Sequence, residues 1–423
     1  MIIILLIIYL VLEILNFIYY YHVKKQALKK TYYYGNRIEK SLIKHFLKDM
    51  MKFFNSYFIS NNKNKFLDIN QLSLIPIIRS LLSFFFNKSL SQANYKNLKV
   101  VYYCAFKFKK QMNIKFKKIN DNKQDLFLRF GKSSITTYYK PLIITILFIL
   151  TRIYSEFILR KNNFKSYYSP LTNINYWYKL KEKSETPVIF FHGFGIGIIP
   201  YINYLIKLAE NTSVICPVLP NISNVYFHPI KWNICRNDVF PDLNLLYDEL
   251  NNILINHKLV KVNIIAHSFG TFILSGIILN SSLRRKIHKK IFIDPVCFHS
   301  GAIKVYKSVD RMKKNKSNSF KSIILHYLIY YVIYLDIYLK YATKRNLFSL
   351  DYLWGNYRYV DKNTKIVLSE NDDITPSFKI LEDMKIASKH RNIVWLEDAY
   401  HGDLFMTNNW NFILNQLNNF ILD

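Results

Sequence analysis

Hydrophobic residues run almost unbroken at the front of the chain and recur in short, spaced bursts at its back. Met1 to Tyr21 is apolar except for Glu13 and a few polar side chains. At about 1.5 Å per residue, a helix of that length reaches across roughly 30 Å of hydrocarbon. A second apolar run, Leu142 to Thr151, follows Pro141 and continues with helical spacing through Arg152, Tyr154, Glu156 and Ile158. Its clean stretch is short for a membrane span, and an ionisable pair is costly in hydrocarbon, so residues 141–160 read equally as a second membrane helix or an interfacial one. Arg152 and Glu156 lie four apart and can pair on one helix face.

From about Asn173 the pattern changes to strands alternating with helices, which indicates an α/β domain with a parallel sheet over residues 173–423. Strands are predicted at Tyr176 to Leu180, Pro187 to Phe191, Val214 to Pro217, Leu259 to Ile265, Lys290 to Asp294, Lys365 to Leu368 and Asn392 to Leu396. Helices are predicted at Tyr201 to Ala209, Leu243 to Ile255, Thr271 to Leu279 and Phe412 to Ile421. Between Asp294 and Lys365 the chain is far longer than a crossover helix needs, so an inserted cap is expected at about residues 297–360. Its middle, Ile323 to Tyr341, is apolar and aromatic but carries His326, Asp336 and Lys340, which favours a lid helix over a third span.

Composition changes this picture mainly at the front. The 423 residues hold 59 Lys and Arg against 28 Asp and Glu, a formal net charge of +31. Residues 22–140 alone hold 25 basic against 5 acidic side chains, so they are expected to form a basic, membrane-proximal helical region, whose charge reads equally as facing anionic lipid headgroups or as a solvated basic face. The segment 1–21 lacks a basic stretch before its apolar run and a small-residue cleavage site after it, which favours a retained anchor over a cleaved signal. Basicity alone is a weak pointer to nucleic acid, and no zinc-finger spacing, P-loop or RNA-binding signature accompanies it; no nucleic-acid partner is expected. The cysteines Cys104, Cys216, Cys235 and Cys297 have no paired short spacing, so no metal site is expected.

The candidate chemistry sits where strands end. The segment Ala266-His267-Ser268-Phe269-Gly270 follows an apolar strand, and small residues two before and two after the serine permit the sharp strand-to-helix turn of a nucleophile elbow. After another strand comes His192-Gly193-Phe194-Gly195-Ile196-Gly197, which uses three of the chain's ten glycines. A glycine-rich loop there can present backbone amides to an oxyanion, and the donors expected are the amides of Phe194 and Phe269. The glycine spacing does not fit a dinucleotide loop. A serine needs a base, and the base an orienting acid. His401, in Ala399-Tyr400-His401-Gly402-Asp403, is the candidate base. Asp372 is the candidate acid, with Asp373 and Asp294 as alternatives, while His192 and His267 read as structural or lining residues. The order serine, acid, histidine is that of the hydrolase sheet.

These residues carry a resemblance. The chain resembles α/β-hydrolase fold proteins, and more narrowly the membrane-anchored α/β-hydrolases of lower eukaryotes that join an apolar N-terminus to a C-terminal hydrolase domain. The matching pieces are His192-Gly193-Phe194-Gly195, Ala266 to Thr271, Ile293-Asp294-Pro295-Val296, Asp372 to Pro376 and His401-Gly402-Asp403-Leu404. It departs from the usual pattern at Ala266 and Ser369, where many relatives have glycine. The resemblance implies a mostly parallel, doubly wound sheet with an inserted helical cap. It also implies Ser268, His401 and Asp372 as nucleophile, base and acid, an oxyanion hole, and no cofactor. The expected activity is a membrane-bound serine hydrolase acting on lipid or acyl-ester substrates. An acyltransferase would use the same triad, and a non-catalytic scaffold would keep the fold without the reaction. Epoxide or haloalkane chemistry would require an aspartate at the elbow in place of Ser268.

Overall fold

The computed structural model describes residues 2–29, 74–86, 88–112, 137–169, 174–181, 186–219, 222–223, 244–298, 336–343 and 357–422. Its centre is an eight-stranded sheet in the order β1-β2-β4-β3-β5-β6-β7-β8. The strands are β1 (Lys165–Ser169), β2 (Ile174–Lys179), β3 (Val188–Phe191), β4 (Val214–Val218), β5 (Val262–His267), β6 (Ile287–Ile293), β7 (Thr364–Ser369) and β8 (Ile393–Leu396). The pairs β1–β2 and β2–β4 are antiparallel, and every other pair is parallel. This is the doubly wound α/β-hydrolase architecture expected from the sequence.

The central strands β3 and β5 are buried along their whole length because both faces of the sheet are covered. In β3, Val188 and Phe190 join the core on one side of the sheet while Ile189 and Phe191 join the core on the other. β7 divides in the same way, with Val367 on one face and Ile366 and Leu368 on the other. One core takes in residues of α2 (Leu74–Phe86), α3 (Tyr95–Met112), α6 (Asn244–Asn256), α7 (Gly270–Leu279) and α10 (Ser377–Ile386). The opposite core takes in α5 (Ile202–Leu208), α11 (Asp403–Met406), α12 (Asn411–Leu422) and Leu159 near the end of α4 (Leu142–Lys161). The short α8 (Ser281–Arg284) is N-capped by the Asn280 side chain.

Two boundaries differ from the sequence-based expectation. The sheet begins at Lys165, ahead of residue 173; β1 escapes the sequence pattern because it is an edge strand whose Lys-Ser-Tyr-Tyr-Ser, exposed over its first three residues, carries no apolar alternation. Residues 22–140 are also not only a basic membrane-proximal region. Ile77, Ile78, Leu81 and Leu82 of α2 and Val101, Cys104 and Ala105 of α3 belong to the same buried core as Phe269 and Phe272 beside the elbow.

The front helix α1 (Ile2–Lys29) runs past residue 21, and its window Ile3–Ala27 is long and apolar enough to cross a membrane, as is Leu142–Lys161. Glu13 does not stand as a bare charge in α1: it accepts hydrogen bonds from Tyr139 Oη at 2.7 Å and from the Leu142 amide, at the start of α4, at 2.9 Å. Arg152 and Glu156 pair at 2.6 Å. Val23 and Ala27 are buried with Ile337, Tyr338 and Tyr341 of α9 (Ile337–Tyr341), within the expected cap. Asp336 caps α9 through the amides of Tyr338 and Leu339 and pairs with Lys140 at 2.5 Å. Of the expected cap, residues 299–335 and 344–356 lie outside the described residues, and with them most of the predicted lid helix; what is described is the short α9, which begins at Ile337 after its Asp336 cap and packs on α1.

Gly270 packs directly on the backbone of β3. A Cβ built there falls 2.4 Å from the Phe191 carbonyl oxygen, a backbone atom that no rotamer change can move. Gly270→Ala is therefore expected to destabilise the domain by about 1–3 kcal/mol, the usual cost of forcing an extra carbon into a packed interior. Thermal unfolding of the full chain in detergent checks this; an unchanged midpoint would refute the close approach.

Candidate active site

The site is assembled at the C-terminal ends of the parallel strands, where open α/β sheets place their ligand crevices. β5 delivers Ser268 into a turn at φ 49°, the left-handed region that a non-glycine residue occupies only when its surroundings enforce it. Three bonds enforce it here. The Ser268 amide donates to Ile293 O at 2.9 Å, and the Thr271 amide donates to Ser268 O at 3.0 Å. Thr271 Oγ1 also donates to Ser268 O, at 2.6 Å, and accepts the Val296 amide at 3.1 Å, which fastens the elbow to the chain after β6.

His401, in the loop after β8, lies with Nε2 at 2.7 Å from Ser268 Oγ and Nδ1 at 2.7 Å from Asp372 Oδ2. Three residues well separated in sequence thus form one hydrogen-bonded line. Asp372 comes from the turn after β7, and its other oxygen accepts the amides of Ile374 and Thr375, each at 2.7 Å, which fixes the direction of the carboxylate. Its side chain is fully buried, while His401 keeps 18% exposure. A carboxylate on Nδ1 holds that nitrogen as the donor and leaves Nε2 to accept the serine proton.

The alternative acids are placed elsewhere. Asp373, the next residue of the turn, stands exposed, while the buried carboxylate of Asp372 takes His401 Nδ1. Asp294, also at a left-handed φ of 44°, receives the Ser369 amide at 3.1 Å and the Gly402 amide at 2.8 Å. His192 is completely buried: its Nε2 accepts the Leu219 amide at 2.9 Å, and its Nδ1 donates to Gly193 O at 2.8 Å. Burial pushes its pKa down to about 4, so it is neutral near pH 7 and has no access to a reacting group.

The glycine loop packs directly on the nucleophile. A Cβ built on Gly193 would sit 3.1 Å from Ser268 Cβ and under 3 Å from Tyr201 Oη and His267 Nδ1. The Gly193 amide donates to Tyr201 Oη at 3.0 Å and the Gly195 amide to Ile222 O at 2.9 Å. Phe194 lies between these two committed amides. The Phe194 and Phe269 rings stand 6.4 Å apart, centroid to centroid, so the glycine loop lies beside the residue that follows Ser268. Tyr201 was not singled out by the sequence, since its hydroxyl partners are remote in the chain and a tyrosine opening an amphipathic helix carries no signal.

Asp294, Asp372 and His401 offer ligand atoms within 4.8 Å of one another. Both ring nitrogens of His401 are already engaged, so a metal could use this imidazole only by displacing Ser268 or Asp372.

No protein-family model matches the chain, and no curated protein matches it. Among solved structures, the chain is similar to a putative lipase from Acinetobacter baumannii AYE, at 14% identity and TM-score 0.46 over 64% of this chain and 95% of that one. It is also similar to naproxen esterase, a carboxylesterase from Bacillus subtilis, at 12% identity and TM-score 0.45 over 65% and 97%. A third is a membrane phospholipase A described as a bacterial virulence factor, at 12% identity and TM-score 0.44 over 66% and 91%. Likeness at this level decides no activity, and the fold rests on the strand order and the elbow themselves.

If Asp372 orients His401, Asp372→Asn should keep the shape of the site but favour the wrong tautomer, lowering turnover by about 10³ to 10⁴ with little change in substrate affinity. Asp373→Asn should be nearly neutral. Steady-state kinetics on the two variants compares them directly, and a larger loss at Asp373 would overturn the assignment.

Proposed function

We propose that the chain is a serine hydrolase that cleaves ester or thioester bonds of hydrophobic acyl substrates, working at a membrane. The observation that carries this reading is the line of 2.7 Å contacts from Ser268 through His401 to Asp372 at a strained elbow. Ser268 Oγ attacks the acyl carbonyl carbon while its proton passes to His401 Nε2. The tetrahedral oxyanion is held by the amides of Phe269 and Phe194. As the carbon–oxygen or carbon–sulfur bond breaks, His401 gives that proton to the leaving alcohol or thiol, and the acyl group stays on Ser268. Water then repeats the sequence: His401 takes its proton, the acyl group leaves as the acid, and Ser268 Oγ recovers its hydrogen. Asp372 stabilises the imidazolium in both halves without itself being protonated.

The membrane part of the reading is supported by exposed apolar surface. Along α1, Ile3 to Ile8 and Leu10 to Leu12 stand exposed, and α4 exposes Ile143, Leu147, Leu150, Tyr154 and Phe157 along one side. Lys24 and Lys25 follow the apolar part of α1, where they can meet anionic headgroups. The hydrogen-bonded state of Glu13 removes the main objection to burying α1 in lipid, since a carboxylate with two donors costs far less there than a bare one.

A fluorophosphonate probe reports an activated serine and separates an enzyme from a scaffold. Membranes containing the intact chain should label, and Ser268→Ala should abolish labelling and ester turnover; undiminished labelling of the variant would sink the proposal. For the anchor, carbonate-washed membranes should retain the full chain, whereas a chain starting at residue 22 should be extracted more readily. Equal extraction of both would dismiss α1 as the attachment, and equal retention would transfer that role to α4.

A further inference from the structure

Behind the proposed triad lies a second line of polar groups that the reaction as written does not use. Tyr201, His267 and Asp294 are 5%, 6% and 0% exposed. The Gly193 amide donates to Tyr201 Oη at 3.0 Å, and Tyr201 Oη lies 2.8 Å from His267 Nδ1. The tyrosine oxygen already accepts from Gly193, so its own proton is directed to Nδ1. The proton of the neutral imidazole is then on Nε2, which makes no hydrogen bond to a described residue and faces the Asp294 carboxylate across 3.8 Å, an electrostatic contact only. Burial lowers the pKa of His267, consistent with that neutral form. Asp294 in turn accepts the Gly402 amide on Oδ2 and the Ser369 amide on Oδ1.

Read by where each residue sits, this line visits every loop of the site. Gly193 belongs to the glycine loop after β3, His267 ends β5 next to Ser268, and Asp294 ends β6. Ser369 opens the acid turn after β7, and Gly402 follows the base His401. The backbone bond from the Asn371 amide to Ala399 O, at 2.8 Å, ties the acid and base loops to each other. It reaches neither the elbow nor the glycine loop. A buried carboxylate with donors on both oxygens, facing across His267 a hydroxyl that holds a loop amide, does reach them.

We propose that Asp294 and Tyr201 are positioning residues that hold His401 and the glycine loop in register with Ser268, acting through Gly402, His267 and Gly193. The proposal rests on the serine-hydrolase reading above. Asp294 has a further effect through its charge, because its carboxylate lies within 4.8 Å of His401. The titratable groups facing His401 are Asp372 from the turn after β7, Asp294 from β6 and His267 from β5, whose ring centroid is 5.4 Å away. Asp403, on the same loop as His401, turns instead to the Tyr400 amide at 2.8 Å. An anion beside an imidazole favours its protonated form, so removing the charge lets His401 lose its proton at lower pH.

The test compares Asp294→Asn and Tyr201→Phe in the full chain, in detergent, with p-nitrophenyl acyl esters. The asparagine has the shape of the aspartate, but its amide nitrogen must face one of the two backbone N–H donors. The phenylalanine removes only the hydroxyl. Both variants should lose about 10- to 100-fold in kcat with KM within about twofold, the split expected when the reacting groups lose alignment but the binding surface stays intact. In Asp294→Asn the acid limb of kcat/KM against pH should also move to lower pH, and in Tyr201→Phe it should stay in place. A plain structural role predicts reduced folded protein with normal kcat and an unmoved limb, and that result overturns the proposal. Should Asp294→Asn not accumulate as folded protein, wild-type kcat in folded Tyr201→Phe overturns it equally. Failure of the underlying reading looks different: the unaltered chain then gives no turnover, or Ser268→Ala retains it, and the positioning proposal falls with it.

Discussion

The strand-to-helix turn at Ser268 is the constraint to which the rest of the domain conforms. A non-glycine residue at φ 49° costs on the order of 1–3 kcal/mol, and such a conformation persists only where neighbours over-determine it. β5 lies in the middle of the sheet and is buried along its whole length, so the strand cannot shift to relax the turn. α7 cannot retreat either, since its first glycine rests on the Phe191 carbonyl of the adjacent strand. Thr271 closes the arrangement by bonding back to the Ser268 carbonyl. The serine hydroxyl is thereby presented to the loops above the sheet, and those loops need only reach one fixed point.

That separation explains which parts were legible in the sequence. The elbow, the glycine loop and the histidine turn are local: each depends on small residues at fixed offsets from a strand end, and each was readable at Ser268, Gly193 and His401. The strands of the central sheet were readable for the same reason, because a run such as Val188-Ile189-Phe190-Phe191 can be covered on both faces only in a sandwich of helices. Asp372 was readable as the acid by position, while its rival Asp294 could not be dismissed from sequence. Distinguishing them required knowing which carboxylate faces Nδ1 and which is occupied by the amides of Ser369 and Gly402.

The parts that were not legible share a cause. β1 pairs with β2 at the edge of the sheet, where three of its five residues are exposed, so its sequence shows no apolar alternation. The hairpin of α2 and α3 was obscured by charge: the basic excess of its region suggested a lipid surface, whereas Ile77, Ile78, Leu81 and Leu82 already marked a buried helix face. Tyr201 was hidden for a third reason. Its importance lies in a hydroxyl placed between Gly193 and His267, and contacts between residues so far apart in the chain leave no periodicity.

Glu13 shows how the front of the molecule depends on the same logic of pairing. Alone in an apolar helix, a carboxylate argues against membrane insertion. Here it takes the amide that opens α4, where an unsatisfied N–H and the positive end of the helix dipole favour an anion, and it also takes the Tyr139 hydroxyl. Each partner removes a cost from the other: the helix start gains an acceptor and the carboxylate gains donors. The interruption in the first apolar segment and the proline that opens the second are therefore parts of one junction. That junction continues through Lys140 to Asp336 at the head of α9, so the apolar helices are joined by polar contacts to the segment between β6 and β7. Helices tied to the domain at several points hold a fixed orientation relative to the sheet, whereas a tether through a single linker would leave them free to turn.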